Sequence, residues 1–87
     1  MLSDDDNIRL SRLFFDLVMR CGLSGMEAIS YGLTRVMGFT PMNASVEINE
    51  ITGKSVTNAQ VSVYAQRGLT KISDEDRIRV NTEYGVY

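Results

Sequence analysis

A chain of 87 residues has room for one small domain with one core, because independently folding units need roughly 50 residues or more. The single Cys21 excludes an intrachain disulfide, and the absence of His excludes Cys/His zinc clusters along with Ser-His-Asp and Cys-His catalysis, so no enzyme, metal or cofactor is expected. Hydrophobic residues at 44% and charged residues at 23% describe a globular chain. No apolar run reaches the roughly 20 residues of a spanning helix, and Asp4-Asp5-Asp6 stands where a signal peptide would carry positive charge, so a cytoplasmic protein with no membrane partner is expected.

The first element starts at Ser3, a good N-cap, with three aspartates in the turn where the helix dipole favours carboxylates. Leu10, Phe14, Leu17 and Cys21 follow at helical spacing, and Leu13, Phe15, Val18 and Met19 widen the apolar arc before Gly22 stops the helix. That arc is more than one small core can hide. A homodimer or higher homo-oligomer is therefore expected, formed through residues 1–22 with Leu10, Phe14, Phe15, Leu17 and Val18 at the interface. Cys21 reads as a small hydrophobe on this arc, and the five Met residues read as core filler.

Ser24 and Glu27 form a capping box, with Leu23 and Ala28 at the staple positions. Met26, Ile29, Leu33, Val36 and Met37 continue that helix to Gly38. Thr40-Pro41 opens a third helix, lined by Ala44, Ile48 and Ile51 and ended by Gly53. Thr57 and Gln60 form a second capping box, flanked by Val56 and Val61, and open a helix whose inner face is Val61, Tyr64, Ala65, Gly68, Leu69 and Ile72. Alternation in Ser45-Val46-Glu47-Ile48 and in Gln60 to Tyr64 leaves a hairpin over 45–65 as the competing reading. Asp74 to Tyr87 shows only the short alternation Arg77-Ile78-Arg79-Val80 and reads as an edge strand or ordered tail, with Asp74-Glu75-Asp76 starting a final turn after Ser73 or pairing with Arg77 and Arg79. The expected fold is thus all-α, a small bundle of about four helices ending in a short strand or tail.

Charge is unevenly placed. Residues 51–73 carry Lys54, Arg67 and Lys71 and no acid, while the segments on either side are acidic. A local positive field of this kind suits phosphates even when the net charge is -2.

Two helices joined by a turn, the second basic and amide-rich, follow the plan of a helix-turn-helix. Glu47-Ile48-Asn49-Glu50-Ile51-Thr52-Gly53 resembles the E-I-A-E-I-x-G run in region four of sigma factors, and Val61 to Ile72 is similar to the recognition helix of that family. The same pattern is found in plasmid Kor-type (TrfB-like) repressors and in small regulators of fimbrial operons. The resemblance covers roughly residues 23–73 and implies a regulator of transcription, of bacterial, plasmid or phage type, bound to double-stranded DNA through a helix-turn-helix at 40–73. Thr57, Asn58, Ser62, Val63 and Gln66 would face the major groove, where amides pair with adenine and Val63 meets a thymine methyl, while Lys54, Ser55, Arg67 and Lys71 would touch phosphates. This chain departs from the pattern in a turn about two residues longer than usual and in Asn49, which stands where the family has a small residue. A buried Asn needs hydrogen-bond partners. The alternative function is a phage-type adaptor or inhibitor, built on an α+β fold, that engages a transcription or host protein and no DNA.

Overall fold

A computed structural model describes residues 2–85, so Met1, and Val86 and Tyr87 at the end of the expected tail, lie outside the described residues. The elements are α1 (Asp4–Met19), α2 (Gly25–Tyr31) running into one π-helical turn (Gly32–Val36), α3 (Pro41–Thr52), α4 (Asn58–Lys71) and α5 (Asp74–Tyr84). The architecture is all-α. No strand occurs among the described residues, which replaces the hairpin reading of 45–65 with two helices and a turn.

The local signals set these boundaries. Ser3, Ser24, Thr40 and Thr57 each cap the helix that follows by accepting a backbone N–H, and both capping boxes are closed in both directions. Gly53 ends α3 in the left-handed region, at φ 71°, which a side chain would resist.

Residues Leu13, Leu17, Tyr31, Leu33, Ile48, Val61 and Val80 are fully buried and draw all five helices into one core. Helix α2 is central, touching α1, α3 and α4, while the backbones of α1 and α4 do not approach each other closely among the described residues. Two glycines allow this closeness. A Cβ on Gly32 would stand 3.1 Å from Leu13, and one on Gly68 would stand 3.1 Å from both Leu23 and the Tyr31 Cβ, so α4 lies flush on α2 only without a side chain there.

The C-terminal segment corrects the strand-or-tail expectation, because Asp74–Tyr84 is a helix capped by Ser73. Its pattern hides this, since Val80 is its single buried residue and no apolar stripe exists to be read. A polar fastening holds it instead. Arg79 donates two hydrogen bonds of 2.8 Å to the Asp16 carboxylate on α1, and the Tyr84 hydroxyl donates a third at 3.1 Å. Asp16 is only 4% exposed. The Arg79 hydrogen bonds hold its carboxyl below the usual range, against the opposing effect of burial. Arg77 and Arg79 also reach Asp74 and Asp76 at 3.6 and 3.5 Å.

Helix α1 corrects the breadth of the expected interface. Leu10 and Leu17 belong to the chain's own core, and Phe14 and Val18 are half-buried against it, because α2 and its π turn cover that side. Phe15 alone of the five is exposed. Met19 and Met42 are also exposed, so they do not fill the core, and Ile51 turns outward at the end of α3. Among the described residues no helix is long and apolar enough to cross a membrane.

Candidate nucleic-acid interface

Helix α4 has two faces because Val61, Ala65, Gly68 and Ile72 recur at three- and four-residue steps and turn inward. Opposite them, Ser62, Val63, Gln66, Arg67 and Thr70 face solvent. No acidic residue occurs in α4. Of the groove-facing set expected from sequence, Ser62, Val63 and Gln66 form one patch with Thr57 and Asn58 at its N-terminal end, and Arg67, expected at a phosphate, lies beside them.

Arg67, Gln66, Thr57 and Asn58 each have a defined setting. The Arg67 guanidinium lies over the Tyr64 ring, 5.7 Å from its centre, a cation–π contact that orients the side chain along the helix. The Gln66 carbonyl accepts a hydrogen bond of 3.3 Å from Arg35. Arg35 lies in the π turn after α2, 31 positions earlier in the chain, and it brings a second cation to the patch. Sequence reasoning missed it, because no pattern local to residues 54–71 refers to it. The Thr57 hydroxyl accepts the Gln60 N–H, which leaves its own proton for an acceptor outside the helix. Asn58 is tied to α3, its carbonyl oxygen 3.1 Å from the Ser45 hydroxyl.

The turn between α3 and α4 has a physical basis for its length and for Asn49. The Asn49 amide donates to the Val56 carbonyl at 3.1 Å, and its oxygen accepts the Val56 N–H at 2.7 Å. One side chain thus takes up both polar groups of a turn residue, and the longer turn has a fixed shape. Asn49 fits where a small residue is usual because it spans the extra chain and does not merely fill the helix crossing.

Two expected phosphate contacts are placed elsewhere. Lys71 donates to the Glu27 carboxylate at 2.7 Å, and Glu27 is buried, so this lysine neutralises a carboxylate of α2. The Lys71 hydrogen bond is the chief reason that the Glu27 carboxyl titrates below its ordinary range, helped by the Ser24 backbone N–H. Lys54 is exposed but lines a hollow of about 730 Å³ on the side of α1 and α2, with Phe14, Phe15, Met26 and Ile51. Ser55 is exposed in the turn.

The helix termini add a further distinction. Helices α1, α2 and α5 carry Asp or Glu in their first turns, while α3 and α4 carry none. The positive N-terminal ends of the two helices joined by the Asn49 turn therefore have no carboxylate of their own, which suits an external anion. Cys21 is half-buried beside Asp16 and Arg79, and burial raises its thiol pKa, which disfavours the reactive thiolate. No group of three His, Cys, Asp or Glu side chains converges as a metal site among the described residues.

Searches against family models, curated proteins and solved structures find no match to this chain.

Proposed function

We propose that this chain is a DNA-binding regulator of transcription, of bacterial, plasmid or phage type, that reads the major groove with α4 as a homo-oligomer. The observation that carries the reading is the acid-free outer face of α4, where Ser62, Val63 and Gln66 are flanked by Arg67 and by Arg35 from the π turn. A 14-residue helix is about 21 Å long, and the major groove, about 12 Å wide, admits one. Gln66 supplies an amide for adenine, Val63 a methyl surface for thymine, and the two arginines supply phosphate contacts. The carboxylate-free ends of α3 and α4 add fixed positive potential beside them.

Selection from random-sequence DNA at low and physiological salt tests the reading, followed by titration of variants. Enrichment of a symmetric or repeated motif is expected. Arg67→Ala and Arg35→Ala should weaken binding to all sequences and reduce the salt slope by roughly one each. Gln66→Ala should relax the base choice at one position by about 1–3 kcal/mol. Absence of enrichment at either salt would refute the proposal.

A further inference from the structure

The side of α1 turned away from the core carries a pattern that only a second helix would use. Ile8, Phe15 and Met19 are 54%, 65% and 66% exposed, and Arg12, also exposed, lies between them. Their positions, 8, 12, 15 and 19, step by four, three and four residues, which keeps them in one stripe along the helix. The steps read the same in both directions. A helix of this kind laid antiparallel on its own copy therefore superposes the stripe on itself, Ile8 facing Met19 and Arg12 facing Phe15.

We infer that α1 is the seam of an antiparallel homodimer built on Ile8, Arg12, Phe15 and Met19. The inference rests on the homo-oligomer in the function proposed above and is independent of its DNA-binding half. The pairing joins apolar to apolar at its ends and a guanidinium to an aromatic ring at its centre, both favourable contacts. Charge selects the same direction. Asp4, Asp5 and Asp6 crowd the first turn of α1, where Arg9 reaches Asp6 at 3.8 Å, while Arg12 lies past the middle of the helix and the exposed Arg20 is its C-cap, 3.9 Å from its own Asp16. At this register Asp5 of one copy comes within about 3 Å along the axis of the partner's Arg20, two residues out of step. A parallel pair would instead bring Asp4 and Asp5 of both copies together, Asp6 lying round the helix from the seam, and like-charge repulsion opposes that.

The surface needed also favours a second copy. A stable interface takes about 800 Å² from each partner, and each chain has 5177 Å² in all. The stripe contributes its three large apolar side chains, and the hollow next to it, sharing Phe15 and floored by Leu10, Phe14 and Met26, extends the same apolar surface.

Two measurements on the full chain, without DNA, test the seam. Sedimentation equilibrium at tens of micromolar should give twice 9.7 kDa. Phe15→Glu should raise the dissociation constant by roughly thirtyfold or more, the mark of a central interface residue, with an unchanged helical circular dichroism spectrum. Direction is read by disulfide capture in a Cys21→Ser background, mixing an Ile8→Cys chain with a Met19→Cys chain under mild oxidation. Antiparallel pairing predicts the mixed 8–19 disulfide, because the two Ile8→Cys positions would lie about 16 Å apart along the axis, beyond disulfide reach. A monomer mass unchanged by Phe15→Glu would overturn the seam, as would disulfides joining like positions. DNA selection gives its own answer in either case, so failure of the seam and failure of the DNA reading are distinguishable.

Discussion

Replacing Asp16 with Asn removes the charge that joins α1 to α5, and the size of the effect follows from the geometry. Asp16 is 4% exposed and receives two hydrogen bonds of 2.8 Å from Arg79 and one of 3.1 Å from Tyr84. Breaking a buried pair from one side costs about 3–5 kcal/mol because the other charge is left uncompensated. The Arg79 side chain is 27% exposed, so water recovers part of that loss and about 3 kcal/mol is expected. For a domain of this size that lowers the melting temperature by ~12 °C or more. The pH dependence has a definite sign. The folded-state pKa of Asp16 is depressed, so its stabilisation is present above the unfolded value of about 3.9 and is lost as pH falls through the lower folded value. Urea titrations followed by far-ultraviolet circular dichroism at pH 7 and at pH 3 would measure both effects. The difference between native chain and variant should shrink at the lower pH. Replacing both partners, Asp16→Leu with Arg79→Met, should recover much of the loss. A pH 7 unfolding free energy for Asp16→Asn within about 0.5 kcal/mol of the native chain, the range of an ordinary surface change, would refute the polar fastening of α5.

Asn49→Ala should cost about 1–2 kcal/mol by leaving both polar groups of Val56 without their partner, and amide exchange at Val56 should quicken, as NMR would record. Lys71→Ala should lower the unfolding free energy from urea titration by about 1 kcal/mol, a value held down by the lysine's half exposure, because it strands the Glu27 carboxylate. If Lys71→Ala leaves the midpoint unchanged and instead reduces the salt slope of DNA binding as much as Arg67→Ala does, the assignment of Lys71 to Glu27 is wrong.

Much of this fold was legible because its first four helices announce themselves locally. Ser24 with Glu27 and Thr57 with Gln60 are recognisable at a separation of three residues, and both boxes close as read. Apolar period placed Leu33, Ile48, Val61 and Ile72 inside. What escaped the sequence depends on distant partners. Arg79 meets Asp16 across 63 positions, Lys71 meets Glu27 across 44, and Arg35 meets Gln66 across 31. None leaves a periodic trace. The apolar arc of α1 misled for a related reason, since spacing shows that Leu10, Phe15 and Leu17 are apolar but not which of them α2 will cover. Asn49 was legible as an anomaly, and only the folded turn supplied its partner in Val56.

The union of Asp16 with Arg79 has a kinetic consequence. It closes a loop of most of the chain, whereas α2, α3 and α4 follow one another and meet across short connections. Loop closure costs entropy that grows with separation, and contacts of short range form first. Joining α1 to α5 is therefore the late event, absent from the folding transition state. Weakening it should leave the folding rate nearly unchanged and speed unfolding by almost the whole equilibrium effect, so that the persistence of the folded molecule depends on a contact its folding rate does not register.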